Sequence, residues 1–188
     1  MNKVKYNLKN AHYAVLKEEE DGKFTYETPV KIPGAVSISM AAQGNIKKFR
    51  ADGIVYYQTA SNNGYEGDLE MALVPESFRV DVLGETLDNN KVLIESTDAK
   101  TKTFALLFEF DGDSKGIRHV MYCCTATRPS VESKTKEEEV DPVTEKLTIS
   151  AAPRSDGKIK AKTGDEVDEA TYNGWYQTVY ETKTATEG

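Results

Sequence analysis

The stretch spanning residues 64–84 limits what this chain can fold into more than any other, because it sets a strand directly before a helix. Tyr65, Leu69, Met71 and Leu73 fall on one side of a period-two pattern, with Gly67 between them, while Glu66, Asp68 and Glu70 fall on the other. Such a strand needs a core against one face and carries a row of carboxylates on the opposite one. Pro75 then supplies the fixed dihedral of a first helical position, Glu76 complements the positive helix end, and Gly84 terminates it, which predicts a helix over about 75–84. Val74 precedes the proline and offers no side-chain oxygen to an orphan backbone N–H, so the helix depends on packing through Phe78, Val82 and Leu83.

The rest of the chain reads mostly as strand. Residues 12–16 and 24–26 flank a charged turn at 18–22 and form a hairpin pattern. After Pro29 and Pro33, Val36, Ile38 and Met40 alternate with Ser37, Ser39 and Ala41 as a half-buried strand. Residues 41–63 contain Gly44, Gly53, Asn62, Asn63 and one strand-like run at 54–57, the marks of a long hairpin excursion. Loops of that length without their own core are functional or disordered. A second exposed connection, 87–102, has a brief apolar run at 92–94. Phe104, Leu106, Phe108 and Phe110 alternate cleanly, Asp111-Gly112-Asp113 turns, and 117–127 returns, which is the clearest hairpin in the chain. Leu147, Ile149 and Ala151 alternate with Thr148 and Ser150 before Pro153 stops the strand. The aromatic cluster Tyr172, Trp175, Tyr176, Val179 and Tyr180 reads as a last strand, and 182–188 as a frayed tail.

These patterns predict a mainly β protein: an antiparallel β-sandwich or barrel with one flanking helix and long loops. A length of 188 residues supports one sizeable core, so a single domain is expected over 1–188, with an N-terminal segment 1–10, the long hairpin 41–63 and a C-terminal strand and tail 165–188. Hydrophobic residues make up 38% and charged residues 29%, which is more surface than a compact enzyme of this size needs. The net charge of -7 excludes sequence-independent binding to nucleic acid, which requires a basic stripe. No apolar run is long enough to span a bilayer and the first residues lack the apolar core of a secretory signal, which points to a cytosolic protein. Cys123 and Cys124 are adjacent, point to opposite faces of a strand, and read as reduced packing residues.

Candidates for chemistry are few. His12 and His119 lie in strand-like runs with no Cys, Asp or Glu at metal-ligand spacing, which favours packing roles. Asp111-Gly-Asp113 lacks the further acidic ligands of a calcium loop and reads as a hairpin turn. The run Glu137-Glu138-Glu139 reads as a solvated face. No nucleophile elbow, phosphate-binding glycine loop or zinc spacing is present, so neither a catalytic residue nor a cofactor or metal site is expected. From periodicity alone, Glu66, Asp68 and Glu70 suit a surface strand, although one apolar and one acidic face also suits the lining of a wet channel.

Four runs carry a family resemblance: Ala51-Asp-Gly-Ile-Val-Tyr-Tyr57, Asn62-Asn-Gly-Tyr-Glu-Gly-Asp-Leu-Glu70, Phe104-Ala-Leu-Leu-Phe-Glu-Phe-Asp-Gly112 and Tyr122-Cys-Cys-Thr-Ala-Thr-Arg-Pro-Ser130. With Lys3-Val-Lys-Tyr-Asn-Leu-Lys-Asn10, Lys134-Thr-Lys-Glu-Glu-Glu139 and Thr144-Glu-Lys-Leu-Thr-Ile149, the chain to about residue 154 resembles the major tail proteins of long-tailed bacteriophages and prophages of Gram-positive bacteria. The resemblance implies a β-sandwich that assembles into hexameric rings, stacked as a virion tail tube for DNA ejection, without catalysis or cofactor. It implies assembly in the bacterial host cytoplasm, with further copies of the chain and the tape-measure, tail terminator and distal tail proteins as partners, DNA only in transit, and no membrane.

On this resemblance Glu66, Asp68 and Glu70 line the lumen, where negative charge keeps DNA phosphates from sticking. The excursion 41–63, with Gln43, Asn45, Lys47, Lys48, Phe49, Arg50 and Asp52, becomes the loop that reaches a neighbouring ring or subunit. The segment 2–10 and the aromatic segment around Trp175 become interface arms. The alternative is a monomeric Ig-like binding or decoration module of a virion, which the same strand pattern permits. A hydrolase on a β scaffold is more distant, since neither histidine has a sequence neighbour to orient it.

Overall fold

The computed structural model describes residues 2–18, 24–135 and 142–182. The charged turn at 19–22, the run Glu137-Glu138-Glu139 and the tail from 183 lie outside the described residues. The strands in chain order are β1 (Lys5–Glu18), β2 (Phe24–Tyr26), β3 (Val30–Lys31), β4 (Ala35–Gln43), β5 (Ile46–Ala51), β6 (Ile54–Ala60) and β7 (Gly64–Met71). Helix α1 (Glu76–Asp81) follows, then β8 (Thr86–Leu87), β9 (Leu93–Ile94), β10 (Phe104–Gly112), β11 (Ile117–Ala126), β12 (Glu145–Ala152), β13 (Lys160–Lys162) and helix α2 (Glu169–Asn173).

One antiparallel sheet runs in the order β2-β1-β10-β11-β12-β7-β4, with β3 beside β1 and β13 beside β11. The fold is mainly β and consistent with a sandwich. Phe104, Leu106 and Phe108 of β10 enter a first apolar cluster with Tyr13, Leu69, Met71, Leu147 and Ile149. The intervening Ala105 and Leu107 enter a second cluster on the other face, with Ala14, Val120 and Tyr122. The period of two therefore loads both faces of the central strands.

Helix α1 covers the first cluster. Phe78, Val82 and Leu83 are all buried, and the Phe78 ring meets Tyr13 and Phe104 edge-on at 5.1 and 5.4 Å. The helix is shorter than 75–84, and Pro75 makes no side-chain cap bond, so packing holds it in place. Tyr13 also donates its hydroxyl to Asp81 at 2.7 Å.

Several expectations are corrected. The aromatic cluster after residue 168 is not a strand: Asp168 accepts from the Thr171 backbone N–H and starts α2, which makes two helices rather than one among the described residues. Trp175 and Val179 close the second cluster. Leu73 is 68% exposed, because β7 stops at Met71 and the alternation ends with it. Val36 is exposed at a register shift between Ala35 and Ser37. Residues 5–10 are not free of the sheet; they form the first half of β1, paired with β10 through two register shifts where Asn7 and Asn10 take positive φ.

Candidate functional site

Three strands at one side of the sheet carry a polar face. On β7, Glu66 and Asp68 are exposed and Glu70 is half-buried, while Leu69 and Met71 point into the core. The register supplies their neighbours: Ala41 and Ser150 flank Glu66, Ser39 and Thr148 flank Asp68, and Ser37 and Lys146 flank Glu70. Ser37 donates to one Glu70 carboxylate oxygen at 2.9 Å and Thr144 to the other at 2.5 Å. Thr148 donates to Asp68 at 2.9 Å. The Thr144 and Ser37 hydrogen bonds, with the Lys146 charge nearby, hold the Glu70 carboxyl below its ordinary pKa, so it stays ionised. At Gly67 a Cβ would lie 1.7 Å from the Ser39 carbonyl oxygen, so only glycine lets β4 run this close to the acidic strand.

At the ends of β4 and β7 the chain leaves the sheet as the separate hairpin β5–β6. Asp52 (φ +52°) and Gly53 (φ +77°) make the two-residue turn, the left-handed pair that matches strand twist in tight hairpins. Gln43 ends β4 and Asn45 closes the stem, accepting at its carbonyl from the Ser61 backbone N–H at 3.0 Å. Nearly all of the hairpin is exposed, including Phe49 (61%), Tyr56 (70%) and Tyr57 (62%), and Lys47, Lys48 and Arg50 stand on β5. An isolated two-stranded hairpin is at best marginal in water, and neither apolar cluster includes a residue of this one.

The family model for phage tail tube proteins matches residues 2–187. The chain belongs to that family. Comparison with curated proteins gives no match. Membership implies a structural rather than a catalytic role, with self-assembly into a tube alongside other tail components.

The remaining candidates in this tail tube protein are structural. The His119 ring stacks on Phe108 at 5.0 Å, and burial pushes its pKa down to about 4. His12 stacks on Tyr176, donates from Nδ1 to the Asn10 carbonyl, and has its pKa likewise lowered by burial. Cys124 is buried and Cys123 half-buried, both as free thiols. Among the described residues no group of three His, Cys, Asp or Glu is placed to hold a metal ion, and no helix is long and apolar enough to cross a membrane.

The tail tube protein also carries a C-terminal strap, residues 169–182, whose fixings sequence reasoning missed. Arg154, buried, pairs with Asp156 and with Glu181 near the end of the strap, and lies over the Phe24 and Tyr122 rings. Trp175 donates to the His119 carbonyl and Tyr122 to the Tyr180 carbonyl. A charged residue just after a proline stop, Arg154 after Pro153, is one signal of these fixings in the sequence.

Proposed function

We propose that the chain is the major tail protein that stacks as hexameric rings into the tube through which phage DNA leaves the virion. The polar face of β4, β7 and β12 carries this reading. The same sheet is buried on both faces at its centre, yet here the outward positions Ser37, Ser39, Ala41, Glu66, Asp68, Glu70, Lys146, Thr148 and Ser150 hold hydroxyls, carboxylates, one lysine and alanine, with no large apolar side chain among them. Such a surface suits a water-filled bore: fixed negative charge repels phosphate, and hydroxyls hold water without gripping bases. On this reading Glu66, Asp68 and Glu70 line the lumen, and the hairpin bearing Gln43, Asn45, Lys47, Lys48, Phe49, Arg50 and Asp52 reaches a neighbouring ring or subunit.

The single domain 1–188 assembles in the host cytoplasm, with the tape-measure, terminator and distal tail proteins as its other contacts. Residues 2–10 and the segment around Trp175 then contribute interface from their ordered positions on the sheet. The test is the triple reversal Glu66→Lys, Asp68→Lys and Glu70→Lys. Tubes should still form, because the face is outside the core, while DNA ejection from phage built with the variant should fall at least tenfold. Unchanged assembly together with unchanged ejection would remove the lumen assignment.

A further inference from the structure

The charged groups of this chain are unevenly matched. Lys9, Arg79, Arg118, Arg128 and Arg154 all have carboxylate partners. Lys47, Lys48 and Arg50, within four residues of β5, have none among the described residues. Asp165, Glu166 and Glu169 likewise make no ion pair among the described residues; Asp165 and Glu166 rim a groove of about 680 Å³ lined also by Lys162, Val167, Thr171, Trp175 and Tyr180, and Glu169 follows in the first turn of α2. The apolar part of its lining is a stiff floor of stacked rings, Trp175 on Tyr180 at 5.3 Å with the Trp175 side chain buried, beside polar lining from Lys162, Thr163 and Thr171.

We propose that the β5–β6 hairpin of one copy seats in the groove between residues 164–168 and the C-terminal strap of a second copy, its cations against the carboxylate rim and its aromatic side chains over the apolar floor. This rests on the tube reading above and names the surface that receives the hairpin. Charge complementarity selects that surface. On the polar face Asp68 and Glu70 are engaged by hydroxyls, and the groove beside Glu70 and Glu132 already holds Lys134 and Lys146. Asp165 and Glu166, among the described residues, set adjacent carboxylates without an ion pair beside the Trp175 and Tyr180 rings.

The topology makes the contact heterologous. The hairpin hangs from the β4 edge of the sheet, whereas the strap covers β1, β10 and β11, toward the β2 edge. Copies placed edge to edge with the same sense therefore bring one hairpin across to the next groove. Strands of this length, at ~3.3 Å per residue, reach ~20 Å beyond the stem. A head-to-tail contact of this kind closes a ring or extends a tube, and burial of the aromatic side chains against the groove supplies association energy that the ion pairs then orient.

The experiment is a charge swap read by sedimentation and negative-stain electron microscopy. One variant carries Lys47→Glu, Lys48→Glu and Arg50→Glu; the other carries Asp165→Lys, Glu166→Lys and Glu169→Lys. Each alone should lower the assembled fraction at least tenfold while keeping the wild-type melting temperature, and an equimolar mixture should recover assembly, because each reversed hairpin then meets a reversed rim. Should the lysine rim melt early, Asp165→Asn, Glu166→Gln and Glu169→Gln replaces it, with the same loss expected. If wild type assembles and the reversals leave assembly intact, or the mixture fails to recover it, the docking is wrong and the tube reading stands. A wild type that never assembles would overturn the tube reading, and this inference with it.

Discussion

Single residues in this protein are tuned by what surrounds them on the sheet. Glu70 is held ionised by two hydroxyl donors from the strands or loops on either side, one from Ser37 and one from Thr144. The carboxylate row was legible as alternation along β7, but these partners were not, because they come from residues far away in the chain and only the register brings them together. His119 shows the opposite tuning. Its folded pKa of about 4 lies below the ordinary 6.5, so the unfolded chain binds the proton more readily. The stability linked to this neutral ring is present above about pH 6.5 and is lost as pH falls toward 4, by about 3 kcal/mol over that span. Urea unfolding from pH 7 to pH 4 should show that slope in wild type, and His119→Gln should flatten it; parallel slopes would mean that the ring is not buried as described.

Elements divide into those that hold the sandwich and those that project from it. Deleting residues 46–60 and joining the stem should leave the melting temperature within a few degrees of wild type, since both hairpin strands contribute nothing to either apolar cluster, yet should abolish assembly. Calorimetry beside electron microscopy reads both effects, and a large loss of stability would show that the hairpin belongs to the core. The β10–β11 pair is plain in the sequence because Phe104, Leu106, Phe108 and Phe110 keep a strict period, but the turn falls later than Asp111-Gly112-Asp113 suggests: Asp111 and Gly112 still pair with Tyr6 and Lys5 of β1, and the chain reverses over 113–116. The first half of β1 was hidden because Asn7 and Asn10, at positive φ, make bulges that break the period. Helix α2 is hidden in the sequence by the strand preference of the aromatic residues that mostly follow it, since it ends at Asn173 and only Tyr172 of that cluster lies within it, although Asp168 is a good N-cap.

At the scale of the whole molecule, the chain is a sheet with two unlike ends. The order stops at β2 on one side and at β4 on the other, and open edges of this kind invite pairing between copies. Around that sheet the apolar surface is spent on α1 and on the strap, which leaves the polar face bare and the hairpin uncovered. Family membership and this distribution agree on a protein made to be a repeating unit. Self-assembly into a hollow tube is read by negative-stain electron microscopy of the purified protein at rising concentration, with size-exclusion chromatography alongside. Rings or hollow tubes with an open bore are the predicted result. A monomer that persists at every concentration, even when tail initiator components are added, would contradict the account.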